Sequence, residues 1–142
     1  DAGGDEARRD DAGGDQARRD DAAGRRHVIR RVDKPWGHEL VWAEGDRYVG
    51  KILHIRAGEA LSLQYHRVKD ETVMVLSGSM RFEHFRDGEA PAVEVLAPRQ
   101  PFHIPPGMRH RMIALEDTDV LEVSTPELDD VVRLADRYGR AG

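Results

Sequence analysis

The stretch GEALSLQYHRVKDE, residues 58–71, followed by a closing Gly78, decides how this chain is read. Side chains alternate across a β-strand, so Gln64 and His66 point to one face. After a short turn, Glu71 opens the next strand and reaches the same point in space. Far downstream, PPGMRH at 105–110 sets a tight turn just before a strand that begins with His110. Two ligands on one strand, one on its hairpin partner and one from a distant strand converge on an ion inside a barrel. Imidazole, amide oxygen and carboxylate suit a divalent cation, Zn²⁺ first, with Mn²⁺, Fe²⁺, Co²⁺ or Ni²⁺ as alternatives. The chain has no cysteine, so thiolate ligation and disulfides are excluded.

The same style of sequence continues on both sides. Short apolar stretches are expected as strands at 27–32, 39–43, 48–55, 61–66, 72–77, 80–85, 93–96, 102–104, 110–114 and 120–124. Turn signals separate them at Pro35-Trp36-Gly37, Glu44-Gly45-Asp46, Ala57-Gly58, Ser77-Gly78-Ser79, Asp87-Gly88 and Pro105-Pro106-Gly107. So many short strands in roughly 100 residues favour a sandwich or barrel over a parallel α/β sheet. Only the C-terminus is expected to be helical. Thr125 caps, Pro126 takes the first helical position, and Leu128, Val131, Val132 and Ala135 form an apolar stripe.

Residues 1–26 differ in kind. They repeat DAGGDEARRD, DAGGDQARRD and a decayed DAAGRR, with alanine as the only apolar residue. Such a segment cannot bury enough surface to offset its ordering entropy, so a disordered tail is expected before a single domain at 27–142. The chain's net charge of −5 over 142 residues leaves no basic footprint for nucleic acid or an anionic membrane. No apolar run spans a bilayer and no secretory layout opens the chain, which agrees with a cytoplasmic location.

The two ligand-bearing segments resemble the paired motifs of the cupin superfamily. There a glycine is followed by His-x-His, a glutamate and a closing glycine, and a second motif reads Pro-x-Gly then histidine. Here Gln64 replaces the leading histidine, Arg99 stands where a glycine is usual, and Ala114 stands where an asparagine is usual. The chain is more closely similar to the C-terminal cupin domain of type II phosphomannose isomerases. The shared residues are KPWG at 34–37, LSLQYH at 61–66, Ile104-Pro105, His110-Arg111, LEV at 121–123 and DDVVRLADRYGR at 129–140. That resemblance implies a jelly-roll barrel, a metal held by Gln64, His66, Glu71 and His110, and isomerisation of mannose 6-phosphate to fructose 6-phosphate. The bifunctional members carry a nucleotidyltransferase domain upstream; residues 1–26 hold no phosphate loop, so guanylyltransferase activity is not expected of this chain.

Other residues are candidates by type and position. His84, His103 and Lys69 are candidates for proton transfer, against the plainer reading of two structural histidines and a solvated lysine. Arg133 and Lys69 are candidates for a substrate phosphate. Trp36 and Trp42 are expected to cover the barrel, and Met74, Met80 and Met112 to fill its core. A homodimer is expected to cover sheet edges and outward apolar residues such as Leu61, Leu63 and Tyr65. Two readings from other classes compete: an iron-dependent cupin dioxygenase and a non-catalytic sugar-binding cupin.

Overall fold

The computed structural model describes residues 24–141. The repeats expected to be disordered lie almost wholly outside the described residues. From Arg30 the chain alternates strands and tight turns, as the apolar alternation requires. The strands are β1 (Arg30–Lys34), β2 (Gly37–Glu44), β3 (Val49–Ile55), β4 (Leu63–Tyr65), β5 (Glu71–Ser77), β6 (Met80–Phe85), β7 (Ala92–Leu96), β8 (Phe102–Ile104), β9 (Arg109–Ala114), β10 (Thr118–Ser124) and β11 (Val132–Ala135). They form a six-stranded sheet ordered β1-β2-β3-β10-β5-β8 and a five-stranded sheet ordered β11-β4-β9-β6-β7. All pairings are antiparallel. All ten expected strands are present, shifted by a few residues at their ends.

The two sheets face each other across a core of Trp36, Leu53, Ile55, Val73, Val75, Met80, Phe82, Leu96, Ile104, Met112, Ala114 and Val120. Alternation places Val73 and Val75 inward, and this sends Met74 to the opposite face, where it is half-buried rather than in the core. Trp36 is buried, whereas Trp42 packs outside the barrel over Gly50, where a β-carbon would lie 2.6 Å from the indole.

The expected C-terminal helix does not form, and no helix occurs among the described residues. The hydroxyl of Thr125, read as a helix cap, instead accepts the backbone N–H of Asp70 at 3.0 Å. The following residues make turns, then β11 pairs with the edge of β4 through Val132↔Tyr65 and Arg133↔Gln64. A short stripe containing adjacent Val131 and Val132 is compatible with either period, and an unpaired sheet edge supplies hydrogen bonds that favour the strand.

This ending changes the environment of the residues expected to need a partner subunit. β4 is paired on both sides, by β11 and β9. Leu61 packs against the core, and Leu63 and Tyr65 are half-buried. Arg99, in place of a glycine, adopts φ +69°, the left-handed region that glycine enters without steric cost. Gly78 has φ +90°, and a β-carbon there would lie 2.5 Å from the carbonyl oxygen of Asp117 and the hydroxyl of Thr118.

Candidate metal centre and cavity

The centre is assembled from three strands and one turn. Gln64 on β4 faces His110 on β9 in register, and His66 follows at the end of β4. Glu71 opens β5 after the turn at residues 67–70. His66, Glu71 and His110 are all buried and each offers a ligand atom within 4.8 Å of the others. Nε2 of His66 is 3.0 Å from Oε1 of Glu71, and Nε2 of His110 is 3.5 Å from the same oxygen.

Hydrogen bonds on the far side of each ring set what faces inward. Nδ1 of His66 donates to the carbonyl of Asp130 at 2.5 Å, and Nδ1 of His110 donates to the carbonyl of Met108 at 3.0 Å. With Nδ1 carrying a proton, Nε2 of each ring faces Glu71, and a neutral ring offers its lone pair there to a metal. Burial pushes the His110 imidazole down, toward this neutral form. Its Nε2 is buried and has no hydrogen-bond partner. Two ring nitrogens and a carboxylate oxygen converge on one buried point. The donor set therefore fits a divalent metal.

Gln64 lies beside this cluster and its amide oxygen accepts the Ser62 hydroxyl at 2.7 Å. A carbonyl oxygen has two lone pairs, so one remains for a metal.

Lys69 adds a buried cation. Its Nζ lies 3.2 Å from Oε2 of Glu71 and 3.6 Å from Oε2 of Glu122 on β10. Burial pulls the lysine down, but the charges of Glu122 and Glu71 outweigh this and its pKa is raised. Glu71 shows the reverse balance: burial pushes it up, yet the hydrogen bonds from His66 and Glu122 and the charge of Lys69 hold it well below the usual carboxylate range. Glu122 is pushed up to about 8 by burial and by the charge of Glu71. Farther along the same wall, Lys51 on β3 pairs with Glu39 on β2 at 3.2 Å, both largely buried.

A cavity of about 240 Å³ opens beside the cluster, lined by Lys34, Trp36, Glu39, Lys51, Lys69 and Glu122 on one side. Gln64, His66, Asp129, Arg133 and Arg140 line the other side. Arg140 is held by Asp136 through two side-chain bonds of 2.9 and 3.0 Å. Arg133 has no carboxylate partner among the described residues, and its Nε is buried without a hydrogen bond.

The expected residues are thus distributed unevenly. Gln64, His66, Glu71, His110, Lys69 and Arg133 gather at the cluster and cavity. His84 points inward but is enclosed: it stacks on Phe82, contacts Phe102 at 5.0 Å and places Nε2 2.9 Å from Glu94. His103 lies on the outer face, 60% exposed, with Nε2 2.6 Å from Asp70. Neither lines the cavity. Glu122, Glu39 and Lys51 were missed, although alternation gave a signal. Each is a charged residue next to an apolar one on the inward face of its strand, as in Val120-Glu122 and Val49-Lys51-Leu53.

The sequence profile of the family described as "Mannose-6-phosphate isomerase C-terminal" matches residues 20–136. The chain belongs to this family. Mannose-1-phosphate guanylyltransferase of Escherichia coli K12 is 36% identical over 118 residues, covering 80% of this chain and 24% of that protein. Xanthan biosynthesis protein XanB of Xanthomonas campestris pv. campestris strain B100 is 35% identical over 116 residues, covering 78% and 24%. The family domain therefore spans about a quarter of these curated relatives. Solved structures share its cupin fold. CapF of Staphylococcus aureus, a capsular polysaccharide assembling protein, superposes with TM-score 0.64 at 18% identity, covering 78% of this chain and 33% of that one. KdgF of Halomonas sp. gives TM-score 0.59 at 22% identity, covering 72% and 91%. Oxalate decarboxylase of Bacillus subtilis gives 0.63 at 13% identity, covering 79% and 33%. None of the described helices is long and apolar enough to cross a membrane, since none is present.

Proposed function

We propose that this family domain is a metal-dependent sugar-phosphate isomerase that interconverts mannose 6-phosphate and fructose 6-phosphate. The observation that carries the reading is the juxtaposition of a buried His66–Glu71–His110 donor cluster with a cavity bearing the buried cation Lys69 and Arg133, which has no carboxylate partner among the described residues. Gln64, His66, Glu71 and His110 would hold the metal, which when bound supplies a Lewis acid that polarises a substrate oxygen.

The reaction moves a proton from C2 to C1 of the open-chain sugar, with a matching proton shift between the two oxygens. Taking the C2 proton leaves an enediolate whose negative charge must be stabilised. Lys69 stands at the inner end of the cavity with its ammonium beside Glu71 and Glu122, where it stabilises that charge and donates to oxygen. Of the three proton-transfer candidates, Lys69 alone lines the cavity; as an ammonium it donates to oxygen, while the ionised form of Glu122, a base with a pKa of about 8, takes the C2 proton and returns it to C1. Arg133 lies on β11 with its buried Nε lacking a hydrogen-bond partner among the described residues, which suits a phosphate that arrives with the substrate. Lys69, already engaged by two carboxylates, is left to the reacting end.

The test is a coupled assay for fructose 6-phosphate formed from mannose 6-phosphate, with metal content determined on the same preparation. Turnover lost on chelation and restored by Zn²⁺, Mn²⁺ or Co²⁺ is expected. His110→Ala should lose stoichiometric metal, whereas Arg133→Ala should raise KM and keep it. Bound metal without turnover on this substrate would refute the isomerase reading, and absence of metal would refute the centre.

A further inference from the structure

The turn joining His66 to Glu71 has no ladder of its own, yet none of its four amides is left open. Arg67, Val68 and Lys69 donate their backbone N–H groups to the Asp130 carboxylate at 3.1, 2.7 and 2.9 Å. Asp70 donates to the hydroxyl of Thr125, and Thr125 returns its own N–H to the carbonyl of Asp70 at 3.0 Å. The carbonyl of Asp130 accepts Nδ1–H of His66 at 2.5 Å. A single residue, 61 to 64 positions away in sequence, thus holds both the turn and the imidazole that begins it.

We propose that Asp130 is a positioning residue of the metal centre. Its carboxylate fixes the turn that sets the separation of His66 from Glu71, and its carbonyl fixes the His66 tautomer whose Nε2 faces the metal. The inference rests on the metal reading above, and it reaches further than the metal itself. The stretch that carries Asp130 also lines the cavity through Leu128, Asp129, Val131 and Arg133. The chain segment that meets the substrate is therefore the one that braces the metal loop.

The experiment is a titration of metal-free protein with Co²⁺, read by chelator competition for affinity and by visible absorption for ligand geometry. Asp130→Ala should bind Co²⁺ about 10- to 100-fold more weakly than the wild type, the range seen when partners of metal ligands are removed. Its absorption bands should shift. Asp130→Asn keeps one acceptor oxygen, so it should recover part of the affinity; this variant decides the matter if the alanine protein fails to fold. Asp87→Ala, which removes an exposed carboxylate 3.0 Å from Arg109, should leave affinity and spectrum unchanged. Affinity within twofold of wild type with an identical spectrum in both Asp130 variants would overturn the positioning role. A wild-type protein that binds no Co²⁺ would instead overturn the metal centre, and the positioning role with it.

Discussion

Replacing Lys69 by methionine should be among the most destabilising changes available to this fold, and the cost should depend on pH in a defined direction. Lys69 is 5% exposed, and its ammonium faces Glu71 at 3.2 Å and Glu122 at 3.6 Å. At an effective dielectric constant of about 20, one such pair is worth roughly 5 kcal/mol of gross Coulomb energy. At neutral pH the Glu71 contact dominates, because Glu122 is pushed up to about 8 and keeps its proton. Desolvation offsets part of the gain, and removing one partner of a buried pair costs about 3–5 kcal/mol. Methionine fills similar volume, so the loss reports charge rather than a cavity.

The direction with pH follows from Glu71. In the wild type its pKa is depressed, so it contributes stability above its unfolded pKa, and that contribution is lost only as pH falls through the lower folded value. Without Lys69 the burial of Glu71 loses its main charge compensation and its pKa rises. A raised carboxyl stabilises below the unfolded pKa and loses that contribution as pH climbs. The Lys69→Met penalty should therefore already be present at pH 4.5, where Glu71 of the wild type is ionised, and grow further toward neutrality, by at most about 1.4 kcal/mol per pH unit for one group. Urea unfolding with chelator present, from pH 4.5 to 8.5, measures it. A double-mutant cycle with Glu122→Gln should show weak coupling to Lys69 at pH 6 and stronger coupling at pH 9, where Glu122 ionises. A penalty under about 1 kcal/mol at pH 7.5, or one that is flat with pH, would refute the charge assignments.

Two further predictions test the fold and its assembly. Gly78→Ala forces a β-carbon against the Asp117 carbonyl at φ +90° and should cost about 3 kcal/mol, whereas Gly58→Ala, with positive φ but open space, should cost only about 1 kcal/mol by thermal denaturation. On the outer face of the six-stranded sheet, Leu40, Ile52, Leu121 and Met74 lie in register, flanked by Trp42, Leu76 and Val123, which are 41–46% exposed. A homodimer through this face should sediment at twice 16.0 kDa, and Leu121→Glu should convert it to monomer without loss of metal; a monomeric wild type at micromolar concentration would sink the idea.

Much of the fold was legible because each strand is short, alternates, and is bounded by a turn residue with a steric reason to be there. The ligand cluster was legible for a related reason: Gln64, His66 and Glu71 lie within eight residues, and His110 follows its own Pro-Gly turn. The C-terminal segment was not legible, because the spacing of Leu128, Val131, Val132 and Ala135 suits a helix as well as a strand. The open edge of β4 decided between them, and that edge is a property of the whole fold. The brace at Asp130 was hidden for the same reason: its partners are amides, which have no side-chain signature, and they lie more than 60 residues away. The positions of His103 and His84 show two limits of alternation. His103 stands between Phe102 and the fully buried Ile104, so its own strand turns it outward. His84 does turn inward, but alternation cannot say that aromatic rings will enclose it.

The inner face of the six-stranded sheet explains how one small barrel holds both a core and a charged cavity. Register places Leu53, Val120 and Val75 in one row across β3, β10 and β5, fully apolar and fully buried. The next row puts Lys51 opposite Glu122, between Val41 on β2 and Val73 on β5; Glu71 stands one step farther on, opposite Ser124, and Glu39 one step back, opposite Leu53. A shift of two residues along β3 and β10 thus passes from hydrocarbon to charge. Burying Glu39, Lys51, Glu122, Lys69 and Glu71 together is tolerable because the signs alternate: two lysines face two carboxylates, and Glu122 stays largely protonated at neutral pH, so the group is close to neutral. Such a group adds little stability over apolar residues of the same size. Its presence on an otherwise apolar face is therefore an argument about binding, and substitutions there should separate from those in the apolar row. Val75→Ala should lower stability with metal affinity and cavity selectivity intact, while Glu39→Gln, which leaves the largely buried Lys51 without its carboxylate, should lower stability and also alter what the cavity accepts.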